Sequence, residues 1–474
     1  ELGKYNEAIS YFDEALAFDS THLQSLFHKG VCLEKSNKTA EALTHYNKVL
    51  DIDPNNFEAV YNKGKLLFKL GKYDDALKNL DQALSVDPNH SNLLLIKGQC
   101  LYHQEKFQTA ISLFDKSLDF NPNSLDSIFF KGKCLLQLDN YKQAEIQFDS
   151  IIEIDSNHLG AHLAKGYLLQ QRQDFQNAKT HYEYVLSKDP LNIEALFGKG
   201  LSESFLHEYA QSVDDFNKIL EIVPNHFDAL WNKAKSLLEL KKYEAALESI
   251  ELAININSKH YDSILIYATL LEKLRNLPKA LSLYDTALNL EPNDKFLIYK
   301  KGKILTELQN YEDAIYCYDR ILSIDPNNFD AIYNKGLVLS ILNQHKDAIL
   351  YFDKAISKDP KNAELFYHKA YSLEQNNQLS ESLESYNKSL QLVPDYFDAL
   401  LHKGLILLKL NQQKLSLEFL NNALKIIPNH FDALFAKGKI LTNLGKFSEA
   451  LPCFDLILEN NTNIIDSLLY KSIL

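Results

Sequence analysis

His158, His162 and His181 are the residues of this chain whose spacing comes nearest to chemistry. The first two lie one helical turn apart and the third one helix further on, so three imidazoles could converge on a metal ion. No carboxylate or thiolate is convincingly placed beside them, however. His158 also occupies a position that histidine takes repeatedly, because His22, His90, His158, His226, His260 and His430 recur at multiples of 34 residues. A recurrent turn position explains His158 without a metal. The five cysteines (Cys32, Cys100, Cys134, Cys317, Cys453) contain no C-x-x-C pair, which sets aside a disulfide framework and a conventional zinc site. No base recurs near them, so none is expected to be a nucleophile; Cys32, Cys100 and Cys134 fit the buried side of a helix, where cysteine acts as a small hydrophobe. The glycines are single and periodic, and none builds a phosphate loop. Neither catalysis, nor a cofactor, nor metal ligation is expected.

The elements that carry these residues follow from composition and period. The chain has 474 residues, with 63 acidic and 50 basic side chains and a net charge of −13, which argues against a nucleic-acid partner. With 46% hydrophobic and 24% charged residues it has ample material for a core. No apolar run approaches the roughly 18 residues of a membrane span, so no membrane insertion is expected, and the opening ELGKYNEAIS is no signal peptide. There is no methionine and the chain starts on Glu1, so it reads as a piece of a longer array. Five unpaired thiols point to an intracellular, cytoplasmic setting.

The string PNHFDAL occurs at 224–230 and 428–434, PNNFDAI sits at 326–332, and Lys-Gly pairs recur at multiples of 34. With Leu23 as column 1, thirteen tandem 34-residue units fill 23–464 without an insertion. A partial unit (1–22, second helix only) precedes them, and 465–474 starts a further one. Each unit reads as two helices: in 329–362, FDAIYNKGLVLSIL and KDAILYFDKAISKD flank a break at NQH. Proline at column 32 ends the second helix in ten units, Pro54 and Pro326 among them. Asn37, Asn343, Asn377 and Asn411 at the inter-helix break tolerate a left-handed backbone nearly as well as Gly71 and Gly445. Column 8 is Gly or Ala and column 20 Ala or Ser, so helices can approach there, while large residues such as Phe114 and Phe352 at column 24 fill the grooves.

Small residue, aromatic and proline at these spacings resemble the tetratricopeptide repeat, whose period is also 34. The resemblance covers the whole chain. It departs from the family pattern where the first aromatic becomes Leu or Ile (Leu94, Ile128), the Tyr becomes Leu (Leu67, Leu135) and the Leu before Gly becomes Lys. It implies an all-α fold, an α-solenoid forming a right-handed superhelix of antiparallel helix pairs, with the first helices lining a concave groove. It also implies a non-enzymatic scaffold for other proteins, held as extended peptides or helical segments.

The candidate groove residues come from columns 5, 6 and 9. Column 5 offers rings (Phe27, Tyr61, Phe129, Phe197, Trp231, Tyr299, Tyr333, Tyr367, Phe435), column 6 amides (Asn62, Asn232, Asn334) and column 9 ammonium groups (Lys65, Lys133, Lys235, Lys303). Rings would supply desolvated area and amides would bond a peptide backbone. The competing reading is that the rings pack against neighbouring first helices. Acidic residues at column 2 (Glu58, Asp126, Glu194, Asp330) complement the helix dipole, or edge a groove that selects cationic partners. The clamp by which some members hold a terminal carboxylate is not expected, because column 9 never holds Asn. The three column-6 asparagines match in part the Asn ladder of members attached to the O-linked N-acetylglucosamine transferase, so a substrate-recruiting arm of a larger enzyme is the alternative reading. An RNA-reading helical repeat of the pentatricopeptide kind fits poorly with the acidic charge and constant period.

Two contact patterns follow from levels. In a hairpin turning near column 16, columns summing to about 32 share a height. That predicts Lys63–Asp81, Lys131–Asp149 and Lys335–Asp353 pairs within each hairpin. It also stacks Glu145, Lys179 and Glu203, three charges in otherwise apolar columns, as a triad.

Overall fold

The computed structural model describes residues 4–459 together with 468, 471 and 472. The last residues of the thirteenth unit, and most of the 465–474 segment, lie outside the described residues. Those described form twenty-seven α-helices, from α1 (Tyr5–Phe18) to α27 (Phe447–Glu459), and no strand. The fold is an all-α solenoid of antiparallel helix pairs. First helices such as α10 (Leu159–Gln171), α12 (Ile193–Phe205) and α14 (Phe227–Glu239) are 13 residues long, and second helices such as α11 (Phe175–Lys188) are 14. First helices begin at 57, 91, 125 and onwards in steps of 34. No helix of the described residues is long and apolar enough to cross a membrane. The contacts divide the chain into an N-terminal unit, Glu1–Ile256, and a C-terminal unit, Asn257–Leu474.

Local chemistry sets each boundary. The column-34 residue before most first helices, Tyr396 and His430 excepted, turns its side chain onto a free backbone N–H of the first turn: Asn56 receives Ala59 N at 3.1 Å, Asn192 receives Ala195 N at 3.0 Å and Asn328 receives Ala331 N at 2.9 Å. The turn histidines perform the same task through Nδ1, as His158 does for Ala161 N at 3.0 Å and His226 for Ala229 N at 3.2 Å. At the other end, the break residue has positive φ, from Asn37 (58°) and Glu105 (59°) to Gly71 (71°). The next residue then closes the helix end, as when Lys106 N donates to Leu101 O at 2.9 Å.

The core lies where small and large columns meet. A Cβ on Gly98 would fall 2.5 Å from Phe114 Cε1, and one on Gly132 would fall 2.7 Å from Phe148 Cε1. The column-8 glycine is therefore the seat of the column-24 ring of its own hairpin. Phe114, Phe148, Phe216 and Phe352 are completely buried, as are the column-20 residues Ala42, Ala110 and Ser212.

The lysine lattice differs from the expectation by one helix. Column 7 meets column 25 at the predicted height, but on the preceding hairpin: Lys97–Asp81 at 2.5 Å, Lys131–Asp115 at 2.7 Å, Lys301–Asp285 at 2.5 Å and Lys369–Asp353 at 2.6 Å. Lys29–Asp13, Lys165–Asp149 and Lys335–Asp319 follow the same rule. Successive helical residues point about 100° apart. Because column 8 faces its own second helix, column 7 is turned towards the second helix before it.

The triad is also corrected. Lys179 Nζ lies 3.4 Å from Glu203 Oε1, but Glu145 turns to Arg172 Nη1 at 2.7 Å instead. Lys179 bonds Glu208, and Lys199 bridges Glu203 Oε1 at 2.8 Å and Asp215 Oδ2 at 2.6 Å.

Candidate binding face of the first helices

Within each unit first helices of successive repeats touch one another, as α10 and α12 do in the N-terminal one and α18 (Lys295–Glu307) and α20 (Phe329–Ile341) in the C-terminal one, so each unit presents a face of first helices. Column 5 projects onto that face. Each of its aromatic residues is half-buried, and most lean on the column-24 ring of their own hairpin: Phe129 on Phe148 at 6.1 Å, Phe197 on Phe216 at 5.9 Å, Tyr299 on Tyr318 at 6.5 Å, Tyr333 on Phe352 at 6.4 Å, Tyr367 on Tyr386 at 6.1 Å. Phe27 and Phe435 pack in the same way on Tyr46 and Phe454. Tyr61 lies between Phe57 and His90, and Trp231 Nε1 approaches Asp228 Oδ1 at 3.5 Å. The rings therefore serve the core with one side and line the face with the other. Several also touch the next repeat, Phe129 on His158 at 5.5 Å, Tyr333 on His368 at 5.9 Å and Tyr367 on His402 at 6.1 Å, so the rings pack both on their own second helix and on the neighbouring repeat.

Three tyrosine hydroxyls carry this face across to the next repeat. Tyr333 donates to Glu364 Oε1 at 2.8 Å, Tyr299 accepts from Asn334 Nδ2 at 3.5 Å, and Tyr61 accepts from Asn92. Burial, seconded by Glu364, raises the Tyr333 hydroxyl well above its ordinary value, and burial likewise raises Tyr61 and Tyr299, so all three stay neutral.

The amides are less available than their column suggests. Asn62, Asn232 and Asn334 donate to Glu58 O, Asp228 O and Asp330 O in their own helices at 2.9, 2.8 and 2.8 Å, and Asn232 is buried. Among the ammonium groups, Lys133 sits over the rings of Tyr102, Phe129 and Phe130 at 5.3–5.9 Å, and Lys235 lies 5.9 Å from the Phe205 ring. Lys65 is half-buried and Lys303 exposed. The column-2 carboxylates Glu58, Asp126, Glu194 and Asp330 are exposed in the first turns of their helices, the position where the dipole favours them.

The histidines are occupied otherwise. His158 Nδ1 caps its helix, while His162 Nε2 lies 3.2 Å from Ser156 O and its Nδ1 lies 3.0 Å from His181 Nδ1. A carbonyl can only accept, so His162 carries its proton on Nε2 and His181 Nδ1–H donates to His162. Burial pushes the thiols of Cys100 and Cys134 up to about 12 and that of Cys317 to about 11, which keeps them protonated.

One feature escaped the sequence reading. Gly198 is the one glycine in column 6, where the other repeats carry anything from Ala164 and Ala436 to Phe130 and His402, and a cavity of about 600 Å³ opens beside it between α10 and α12. A glycine in a small-residue repeat gives no warning of this, and the signal was its presence in column 6 rather than column 8.

Family models described as tetratricopeptide repeat match residues 61–124, 101–165, 227–260, 329–362, 351–384, 397–430 and 431–463. A model described as TPR repeat matches 302–340, and one for subunit 3 of the anaphase-promoting complex (cyclosome) matches 1–83. No curated protein matches the chain. Among solved structures, MamA (41-end) from Desulfovibrio magneticus RS-1 is 23% identical, with 35% of this chain and 95% of that one covered and a TM-score of 0.35. A tetratricopeptide repeat protein from Parabacteroides merdae ATCC 43184 is 18% identical, covering 52% and 98%, with a TM-score of 0.43. YrrB, described as a TPR protein with an unusual peptide-binding site, is 27% identical, covering 40% and 98%, with a TM-score of 0.36.

Proposed function

The chain belongs to the tetratricopeptide repeat family, and we propose that it is a non-enzymatic interaction scaffold. Its partners are other proteins, held as extended peptides or helical segments against the first helices of its repeats. The observation that carries this reading is the half-buried ring of column 5, present in nine of the thirteen repeats. A ring already fixed from below loses little side-chain freedom when a partner covers its outer side, so its contact area converts well into affinity. The exposed column-2 carboxylates add a negative edge that favours partners carrying Lys or Arg.

Replacing Trp231, Tyr299 and Tyr333 by Ala tests the reading. Affinity-purified partners should be lost from the triple variant while its circular dichroism remains helical, each anchor contributing about 1–2 kcal/mol. Retention of the same partners by a folded variant would overturn it.

A further inference from the structure

We propose that the cavity between α10 and α12 is an anchor pocket for a bulky apolar side chain followed by Lys or Arg in a partner peptide. The inference deepens the proposed function and rests on it. At Gly198 a Cβ would fall 2.3 Å from Tyr182 Cζ, so no other residue fits there without displacing the ring beneath. The Tyr182 ring takes the space of a column-6 side chain, and the bare backbone of Gly198 beside it lines a notch in the face.

The walls of the notch are apolar and open. Phe205 stacks flat on Phe175 at 4.4 Å and 6°, yet remains 56% exposed, and Tyr167 opposite it is 46% exposed. Phe197 and Leu201 complete the apolar part of the lining. The floor is polar but already satisfied. Gln170 Nε2 donates to Gly198 O at 2.7 Å and Ser202 Oγ at 2.9 Å, while its Oε1 accepts from Tyr182 OH at 2.9 Å. An apolar occupant therefore strands no polar atom of this floor, and the remaining amides of the lining, Gln171 and Gln173, are exposed. A volume of about 600 Å³ falls in the range of binding pockets, roughly 300–1,000 Å³.

Charge complementarity selects the neighbour of that side chain. Glu194 is the one charged residue in the lining, and it is exposed at the rim. Lys235 stands beyond the opposite wall, against Phe205. A cation beside the anchoring residue meets Glu194, whereas an anion there meets a like charge.

The test uses the full chain and capped, fluorescein-labelled Gly-Ser nonapeptides carrying a central Trp-Arg, Ala-Arg or Trp-Glu, read by fluorescence anisotropy. Trp-Arg should bind about tenfold tighter than either other peptide. Phe205→Ala should abolish the advantage of Trp over Ala. Glu194→Gln should abolish the preference for Arg over Glu while keeping that for Trp. Both variants are checked for helicity, and the exposed positions of the two side chains leave the fold intact. Equal binding of Trp-Arg and Ala-Arg, or a Trp advantage unchanged in Phe205→Ala, overturns the pocket. Concentration-dependent self-association that Phe205→Ala removes would also overturn it, because a second copy would then be the occupant. A Tyr299→Ala/Tyr333→Ala variant separates the two readings. If it loses its protein partners while no Trp-Arg binding is seen in the parent chain, only the pocket falls. If it keeps them while Trp-Arg binds as expected, the wider face falls and the pocket stands.

Discussion

The Tyr386 hydroxyl donates to Glu374 Oε2 at 3.1 Å, from column 24 to column 12 of one hairpin. The same bond joins Tyr46 to Glu34 at 3.2 Å, Tyr284 to Glu272 at 3.0 Å and Tyr182 to Gln170 at 2.9 Å. Where column 24 is Phe (Phe114, Phe148, Phe216, Phe352, Phe454), column 12 holds Tyr102, Leu136, Ser204, Ser340 or Thr442, and never a carboxylate or carboxamide. A buried hydroxyl needs an acceptor and a buried carboxylate needs donors, so the two columns change together. At Glu374, burial works to raise the carboxyl, but His402 at 3.1 Å and Lys409 at 3.3 Å outweigh it and leave it below its usual range.

Removing the acceptor should therefore cost more than removing the donor. Glu374→Leu strands the Tyr386 hydroxyl in the core and should cost about 1–3 kcal/mol. Tyr386→Phe, which leaves Glu374 its two other partners, should cost about 0.5–1.5 kcal/mol. Adding Tyr386→Phe to Glu374→Leu should recover part of the loss. Urea melts of the two single variants and the double variant measure the coupling; a strictly additive double variant would contradict the bond.

The lysine lattice makes a prediction about neighbours. A double-mutant cycle between Lys131 and Asp115 should return about 0.2–1 kcal/mol, the modest value of a pair with its carboxylate half exposed, and one between Lys131 and Asp149 should return nothing. Coupling to Asp149 instead would restore the pairing within the hairpin.

That pair also shows what the sequence could and could not convey. Period, helix ends and the glycine seat under Phe114 are local or repeat thirteen times, so they were legible. The sum rule set the height of Lys131 correctly but is blind to which of two flanking second helices the side chain meets. Azimuth decides that, and it was readable from the adjacent glycine at column 8. The exhausted amide of Asn232 and the departure of Glu145 to Arg172 depend on individual rotamers, which no column average contains.

Lys199 should be the critical member of the buried cluster. Glu203 and Asp215 are each about 1% exposed, and Lys199 reaches both; burial raises the Glu203 carboxyl against the opposing pull of Lys199. Lys199→Leu leaves Glu203 only Lys179 at 3.4 Å and Asp215 only the half-exposed Lys218 at 2.9 Å, and should cost about 3 kcal/mol, the low end for a broken buried pair. Glu203→Leu restores the residue usual in that column and should be near neutral or stabilising, since Lys179 keeps Glu208 and Lys199 keeps Asp215. Thermal melts of the two variants rank them, and a more damaging Glu203→Leu would refute the arrangement.

The left-handed break offers stabilising changes. Glu105, Lys241 and Arg275 hold φ of 59°, 58° and 61°, a conformation that costs most side chains roughly 1–2 kcal/mol and Asn less. Glu105→Asn and Lys241→Asn should each gain a few tenths to about 1 kcal/mol, seen as a higher urea midpoint with an unchanged slope. Glu105→Val should lose stability at the same site, because a β-branched residue is disfavoured there.

The facing histidines make the α10–α11 hairpin acid-sensitive. Burial pushes His181 down to about 4, with Lys165 and His162 adding to it, and burial also lowers His162. A histidine whose folded value is depressed stabilises the fold fully above its unfolded value of about 6.5, and that contribution is lost as pH falls towards 4. Protonating His162 Nδ1 would set two N–H groups against each other across 3.0 Å. Other groups facing the pair are Lys165 and Asp149, which form their own ion pair, and Tyr184, stacked on His162 at 4.1 Å. Between pH 7 and 4 the N-terminal unit should lose about 1–2 kcal/mol from this pair once solvent screening of the partly exposed His181 is allowed for. His181→Phe should flatten that part of the profile and leave the slope elsewhere unchanged. Nuclear magnetic resonance titration of the two rings gives the direct check: a folded-state His181 titrating near 6.5 would remove the basis for the prediction.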